Sequence, residues 1–408
     1  MSENRRRIPE LDGLRVLMIF IVSWYHIWQQ SWLRPVIGAY SLDYLVRSGY
    51  VWVDGTVLLS AFLLFLPYAK AMRLRLPAPD TRDFYRRRVR RILPAYYFII
   101  LAVFFIVALP WKLYDSPQYM VKDLVTHLTF TFPFFRDTYI ATPLGAASWT
   151  LAIEVQAYAL FPLIARGVMK KPALTLGILC AVCLGFRAWC IWALPDFSMV
   201  VNQLVNFLDV YVTGILAAMA YDRLAEKRDA AERKDWRRYV RQALATVVFA
   251  AAMFGLLRML RVQAASGDYV NIQRHQMMYR PVFALCFAGL ILSAPFGLLP
   301  LRKLLGNPVT KFLGGVSMNY YLIHQTVIVH MKRLRFPVSV SDTPNMDGEQ
   351  PWQNRYTFWA FVISLALAVL VTYAIEKPAA RLIDKLREKR TAGGDPSTPL
   401  RSAQDDTH

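Results

Sequence analysis

Residues 11–26, "LDGLRVLMIFIVSWYH", decide the fold class. The stretch opens an apolar run reaching to about residue 33, and a helix crossing lipid needs about 20 mostly apolar residues. It nevertheless carries Arg15 at its mouth and His26 deep inside. Ionisable side chains within a bilayer are costly, so each asks for a partner or a task. The rest of the chain has the same character. Its 408 residues are 56% hydrophobic and 14% aromatic, with a mean hydropathy of +0.30, too apolar for an ordinary soluble domain.

Apolar windows recur at roughly 14–33, 48–69, 93–110, 146–166, 173–194, 203–221, 240–260, 279–297, 310–331 and 356–375, which makes about ten spans. The expected fold is therefore all-α, a polytopic transmembrane helical bundle. A net charge of +20 could serve nucleic acid, but the basic residues lie in short runs between the apolar windows and not on one amphipathic face. That pattern excludes a nucleic-acid partner and follows the positive-inside rule. Arg5, Arg6 and Arg7, the run "KAMRLRLPAPDTRDFYRRRVRR" (70–91), the run "DRLAEKRDAAERKDWRRYVR" (222–241) and the basic segment after Glu376 all fall on one side. Both termini are expected to be cytosolic. The first apolar run shows no small-residue cleavage signal and reads as a retained helix. Residues 1–390 form the expected transmembrane domain. Residues 391–408, "TAGGDPSTPLRSAQDDTH", read as a disordered cytosolic tail. Longer outer loops are expected at roughly 111–145 and 332–355, where an external substrate would be met. Cys180, Cys183, Cys190 and Cys286 lie in apolar runs with no second ligand pair, so they read as buried thiols, not a metal site or disulfides.

Depth sharpens the reading. At about 1.5 Å per residue, His26 lies about 10 Å below the outer end of the first span and Asp54 about 9 Å below that of the second. A short outer loop joins these helices, so the two side chains are expected to face each other. A carboxylate that fixes the tautomer of a buried imidazole is the usual arrangement of a general base. Glu154, Arg187, Asp209 and His324 fall at a similar level, roughly 10 to 13 Å down. Arg187 with Asp209 reads first as an intramembrane ion pair. His324 stands between a satisfied core histidine and a substrate contact.

Arg15 and His26 are separated by three helical turns plus about 20°, so they share one face, about 16 Å apart along the axis. That stripe runs from the cytosolic mouth to the buried histidine, as in a groove that a long ligand could thread, although Arg15 alone would also suit snorkelling to lipid phosphates. At the same surface "FYRRRVRRILPAYY" (84–97) supplies Arg86, Arg87, Arg88, Arg90 and Arg91. Arginine forks match phosphate oxygens. Together with Arg15 they form an expected phosphate-binding mouth.

These motifs resemble the acyltransferase-3 family of integral membrane O-acyltransferases, which modify exported or cell-envelope glycans. "LDGLR" with His26 fits the family's arginine, ten residues, then histidine. "WVDGTVLLSAFLL" (52–64) is similar to its Val-Asp and Ser-Gly-Phe run at Asp54 and Ser60. "RVRRILP" fits Arg-x-x-Arg-Ile at Arg88 and Arg91. "SWTLAIEVQAYALFP" (148–162) carries Trp149, Glu154, Tyr158 and Pro162. "GGVSMNYYLIHQ" (314–325) carries Ser317, Tyr321, Leu322 and His324, and "EKP" begins at Glu376. The family's paired phenylalanines are here Thr56 and Val57, and its Ser-Gly-Phe is Ser60-Ala61-Phe62. A chain of this length is not expected to carry the hydrolase-like domain fused in some members.

The resemblance implies transfer of an acyl group, most simply acetyl, from cytosolic acyl-CoA to a hydroxyl of an extracytoplasmic or lipid-linked glycan, in the plasma membrane of a bacterium. His26 and Asp54 would be the base dyad, with Glu154 as a third catalytic group that positions the acceptor or couples to His26. Arg15, Arg88 and Arg91 would hold the CoA phosphates, and acyl-CoA would be a co-substrate with no permanently bound cofactor. Trp149, Tyr158 and Ser60 are candidate oxyanion donors, and His324 is a candidate substrate contact. Direct transfer is the simpler route, although a covalent acyl group on His26 or Ser60 would use the same residues. The competing class is a proton- or solute-coupled transporter, which also places ionisable groups at mid-depth. The chain shows neither the inverted repeats nor the paired broken helices expected of that class.

Overall fold

The computed structural model describes residues 7–230 and 236–392; Arg5, Arg6 and most of the expected tail lie outside the described residues. Every apolar window is a helix. They are α1 (Pro9–Ser31), α2 (Trp52–Arg73), α3 (Thr81–Ala102) and α4 (Trp149–Lys170). Then come α5 (Pro172–Ala193), α6 (Leu208–Ala230), α7 (Trp236–Ala264), α8 (Tyr269–Ser293), α9 (Pro308–Arg333) and α10 (Gln350–Val371). Among the described residues nine helices are long and apolar enough to cross a membrane. The tenth, α9, has the length but is less apolar, because Ser317, Asn319, His324 and Gln325 punctuate it. The only strands among the described residues are the two-residue pair Val36–Ile37 and Tyr40–Ser41.

The bundle is organised around α2, which packs on α1, α6 and α8, while α1 also lies along α9. Protein covers 72% of the apolar window of the α2 span but 11% of that of α7, so α2 is the hub and α7 a lipid-facing flank. Lipid tails are as apolar as leucine, so helices in a bilayer associate through close fit more than through hydrophobic drive. Gly214 of α6 shows this. A Cβ there would stand 2.7 Å from both Ala61 Cβ and the Leu58 carbonyl oxygen of α2, and only glycine admits that approach.

Ion pairs tie the helices at the end where the chain begins, called here the basic face. Arg302 meets Glu10 at 2.8 Å, Arg73 meets Asp222 at 2.5 Å and Arg90 meets Asp384 at 2.6 Å. Near that face α10 continues through a π-helical turn, Thr372–Glu376. There Asn319 Nδ2 donates to Thr372 Oγ1 and Glu376 Oε2, both at 2.7 Å, which clamps α10 to α9. The four cysteines are free thiols, with Cys183 and Cys190 fully buried.

At the opposite face the segment 111–145 is a folded cap. Ser116 caps the helix Pro117–Leu128, whose buried Asp123 accepts from Tyr114 and Thr142 hydroxyls, each at 2.9 Å. Lys122 pairs with Asp137 at 2.6 Å and holds that carboxyl below its ordinary range. A second outer segment, 194–207, joins the cap through Asn202 Nδ2 to Tyr139 Oη at 3.0 Å and Gln203 Nε2 to the Pro133 carbonyl at 2.8 Å.

Candidate active site

Two cavities lie end to end inside the bundle. The inner one, about 140 Å³, opens among residues of the basic face and is lined by Arg15, Arg88, Arg91, Glu154, Tyr158 and Ser60 among others. The outer one, about 270 Å³, lies beneath the cap and is lined by His26, Trp149 and a set of amides and tyrosines. One residue, Tyr321, lines both.

Helix periodicity explains how one chain segment serves both chambers. Along α1, Arg15 and Ile19 line the inner cavity, and Val22, His26 and Gln29 the outer. Steps of four, three, four and three residues keep side chains on one helix face. The stripe inferred from Arg15 and His26 is therefore the cavity wall. On α9 the same rule places Ser317, Tyr321 and Gln325 in file along the other wall.

The five arginines of residues 86–91 divide by what they meet. Arg86 and Arg87 both pair with Asp83 one turn earlier, and Arg90 pairs with Asp384. Arg88 and Arg91 instead join Arg15 in the inner cavity, the Arg88 guanidinium lying 5.4 Å from the centre of the Tyr158 ring. Tyr158 Oη donates to Glu154 Oε2 at 2.7 Å, so the carboxylate of Glu154 belongs to the arginine-lined chamber and not to that of His26. Ser60 stands in the same inner wall, whereas Trp149 faces the outer chamber. Thr56 and Val57 also line the inner cavity.

The partner of His26 differs from the sequence expectation. His26 Nδ1 lies 2.7 Å from His324 Nε2, and His324 Nδ1 lies 2.6 Å from the Tyr321 carbonyl oxygen. A carbonyl can only accept, so His324 carries its proton on Nδ1 and presents a bare Nε2. His26 must then donate from Nδ1, which leaves its Nε2 lone pair as the free acceptor beside the outer cavity. The fully buried His324 is thus the group that sets the tautomer of His26.

Asp54 does not meet His26. Its carboxylate accepts from Arg280 Nε at 3.2 Å, and both side chains are fully buried. Arg280 Nη1 donates onward to the carbonyls of Val201 (3.0 Å) and Asn206 (3.1 Å). Arg187 reaches the same Asn206 carbonyl from the other side at 2.7 Å while forking onto both oxygens of Asp209, also at 2.7 Å. The expected pairing of Asp54 with His26 fails on azimuth. Val53, one position earlier, faces the outer cavity with His26, and the 100° step to Asp54 turns the carboxylate toward α8. A buried guanidinium left without a carboxylate is far costlier than a neutral imidazole left without one, so Arg280 takes the carboxylate.

Sequence reasoning missed two residues here. Arg280 sits at the edge of the apolar window 279–297, and no local pattern marks it as the partner of Asp54. Tyr321 lay inside a quoted motif, but nothing in its spacing marks it as the partition between two chambers. The Tyr321 hydroxyl lies beside the Thr150 side chain, and among the described residues no cluster of three or more His, Cys, Asp or Glu could hold a metal ion.

A family model described as "Acyltransferase domain" matches residues 8–377. A Bacillus subtilis (strain 168) protein named YrhL is 30% identical over 42% of this chain and 26% of its own length. The O-acetyltransferase OatA of Staphylococcus aureus (strain NCTC 8325 / PS 47) is 26% identical over 56% of this chain and 37% of its own. The peptidoglycan O-acetyltransferase OatA of Listeria monocytogenes serovar 1/2a (strain ATCC BAA-679 / EGD-e) is 28% identical over 46% and 29% respectively. The matches thus span between 26% and 37% of these relatives' lengths. No solved structure matches.

Proposed function

The chain belongs to the acyltransferase-domain family, and from that premise we propose that it is a membrane O-acyltransferase that moves an acyl group, acetyl by analogy with its relatives, from acyl-CoA to a hydroxyl of a cell-envelope glycan such as peptidoglycan. The single observation that carries the reading is the pair of chambers meeting at Tyr321, with arginines in one and the acceptor face of His26 in the other. The basic face is the cytosolic one in this reading, which puts both termini in the cytosol and the protein in a bacterial plasma membrane.

Arg15, Arg88 and Arg91 hold the CoA phosphates at the inner chamber, where forked guanidinium donors suit phosphate geometry. Glu154, bound to Tyr158, offsets part of that concentrated positive charge. The thin pantetheine arm carries the thioester to the level of Tyr321. The acceptor hydroxyl enters the outer chamber beside His26 Nε2, which takes its proton as the oxygen attacks the thioester carbonyl carbon. The C–O bond forms and the C–S bond breaks, and the proton passes from His26 to the departing sulfur, giving CoA thiol. The Tyr321 hydroxyl is the best-placed donor to the transient oxyanion, with Ser60 and Tyr158 on the inner side and Trp149 on the outer. Asp54 acts at one remove. Through Arg280 it fixes the segment Val201–Asn206, which forms part of the outer wall.

The test is CoA release by purified protein in lipid nanodiscs given acetyl-CoA and peptidoglycan fragments. A positioned general base contributes about 10²- to 10⁴-fold, so His26→Ala should lose that much while inserting normally. Unchanged turnover in His26→Ala would place the base elsewhere.

A further inference from the structure

The outer cavity has a composition that the transfer reading does not require. None of its lining residues is Asp, Glu, Lys or Arg. Its walls are Tyr25, Tyr139, Tyr269 and Trp149 on one hand and Gln29, Gln273, Gln276 and Gln325 on the other. Several of these are already coupled. Gln29 Nε2 donates to Tyr25 Oη at 3.0 Å, and Gln325 Oε1 accepts from the Ala147 backbone N–H, which leaves the Gln325 amino group to donate elsewhere. Asn202 uses one N–H of its amide on Tyr139 and keeps its carbonyl. Gln273, only 6% exposed, has a buried side-chain carbonyl without a hydrogen-bond partner. Such an acceptor costs stability until something donates to it.

We propose that the outer chamber is a subsite for an uncharged sugar, so that the acylated residue of the acceptor is a neutral hexose, deoxyhexose or N-acetylhexosamine and not a uronic or sialic acid. This rests on the acyltransferase reading for the direction of chemistry but not for the recognition itself. Aromatic faces match the apolar C–H faces of a pyranose ring, and planar amides match its hydroxyls, which both donate and accept. A sugar carboxylate would lose its hydration on entry and find no cation, and that loss excludes it. The one cationic state the walls can offer is protonated His26, and a histidine pairing with a carboxylate in that state cannot also serve as the base.

Saturation-transfer NMR on the full chain in nanodiscs, without acyl-CoA, tests this. The probes are methyl glycosides of glucose, rhamnose and N-acetylglucosamine against those of galacturonic and sialic acid. Neutral probes should bind at least tenfold more tightly than anionic ones, and both Gln273→Ala and Tyr269→Ala, the latter at an exposed position where folding is not at stake, should weaken them severalfold or more. A uronic or sialic acid as the tightest probe, no binding by any neutral probe, or unchanged affinity in both variants would overturn the inference. CoA release is scored separately. Neutral-sugar binding without any CoA release would defeat the transferase reading and leave this one standing, whereas CoA release driven best by an anionic acceptor would do the reverse.

Discussion

Replacing His324 tests the tautomer reasoning most directly. His324 contributes one acceptor, its Nε2, 2.7 Å from His26 Nδ1, in a fully buried position. With leucine there, the His26 N–H is left buried and unpaired, or the ring changes tautomer and turns its lone pair away from the outer chamber. An unsatisfied buried donor costs about 1–3 kcal/mol. At about 1.4 kcal/mol per factor of ten, His324→Leu should lower kcat by about 5- to 150-fold. His324→Gln restores an amide oxygen where Nε2 stood, and it should recover most of the loss. The assay is CoA release from acetyl-CoA in nanodiscs, with a thermal melt on each variant to confirm folding. A merely packing role predicts that leucine and glutamine behave alike. If both variants match wild type, or if glutamine is no better than leucine in folded protein, the reasoning is refuted.

Other perturbations separate the remaining parts. Arg88→Ala or Arg91→Ala should raise KM for acetyl-CoA by about 10- to 100-fold, as expected for loss of a charge-assisted hydrogen bond; Arg86→Ala and Arg87→Ala, already spent on Asp83, should change it several times less in the same titration. Asp54→Asn should destabilise the protein by about 3–5 kcal/mol, because Arg280 then lies buried without a counter-charge. The double change Asp54→Leu with Arg280→Met should be milder than either single change, which a double-mutant cycle of melting in detergent measures. Tyr321→Phe should reduce kcat by about 10²- to 10³-fold with KM for acetyl-CoA little altered, as for removal of an oxyanion donor; equal losses in binding and turnover would assign the hydroxyl to ground-state contacts instead.

How legible this molecule was depends on the kind of information each feature needs. Most of the helices were readable because lipid imposes length and apolarity on each segment independently, and nine among the described residues meet both. The face shared by Arg15 and His26 was readable because helix periodicity is local, and Val22 and Gln29 extend it as periodicity requires. Among the five arginines of residues 86–91, spacing alone did not choose. The choice fell to Asp83 on the same helix and Asp384 almost three hundred residues away, which between them occupy Arg86, Arg87 and Arg90. The cap at 111–145 was visible only as a loop, since the buried hydrogen bonds to Asp123 come from residues flanking its helix on both sides.

By itself the sequence determined the class of fold and the helix face that Arg15 and His26 share, because these follow from segment length, apolarity and turn per residue. Only the tertiary structure decided who faces whom. Rotation of α2 gave Asp54 to Arg280, the register of α1 against α9 gave His26 to His324, and the convergence of both helices at Tyr321 made one groove into two chambers. Those outcomes depend on azimuth and register between distant segments, which no single helix encodes and which packing around Gly214, Asn319 and the buried ion pairs settles.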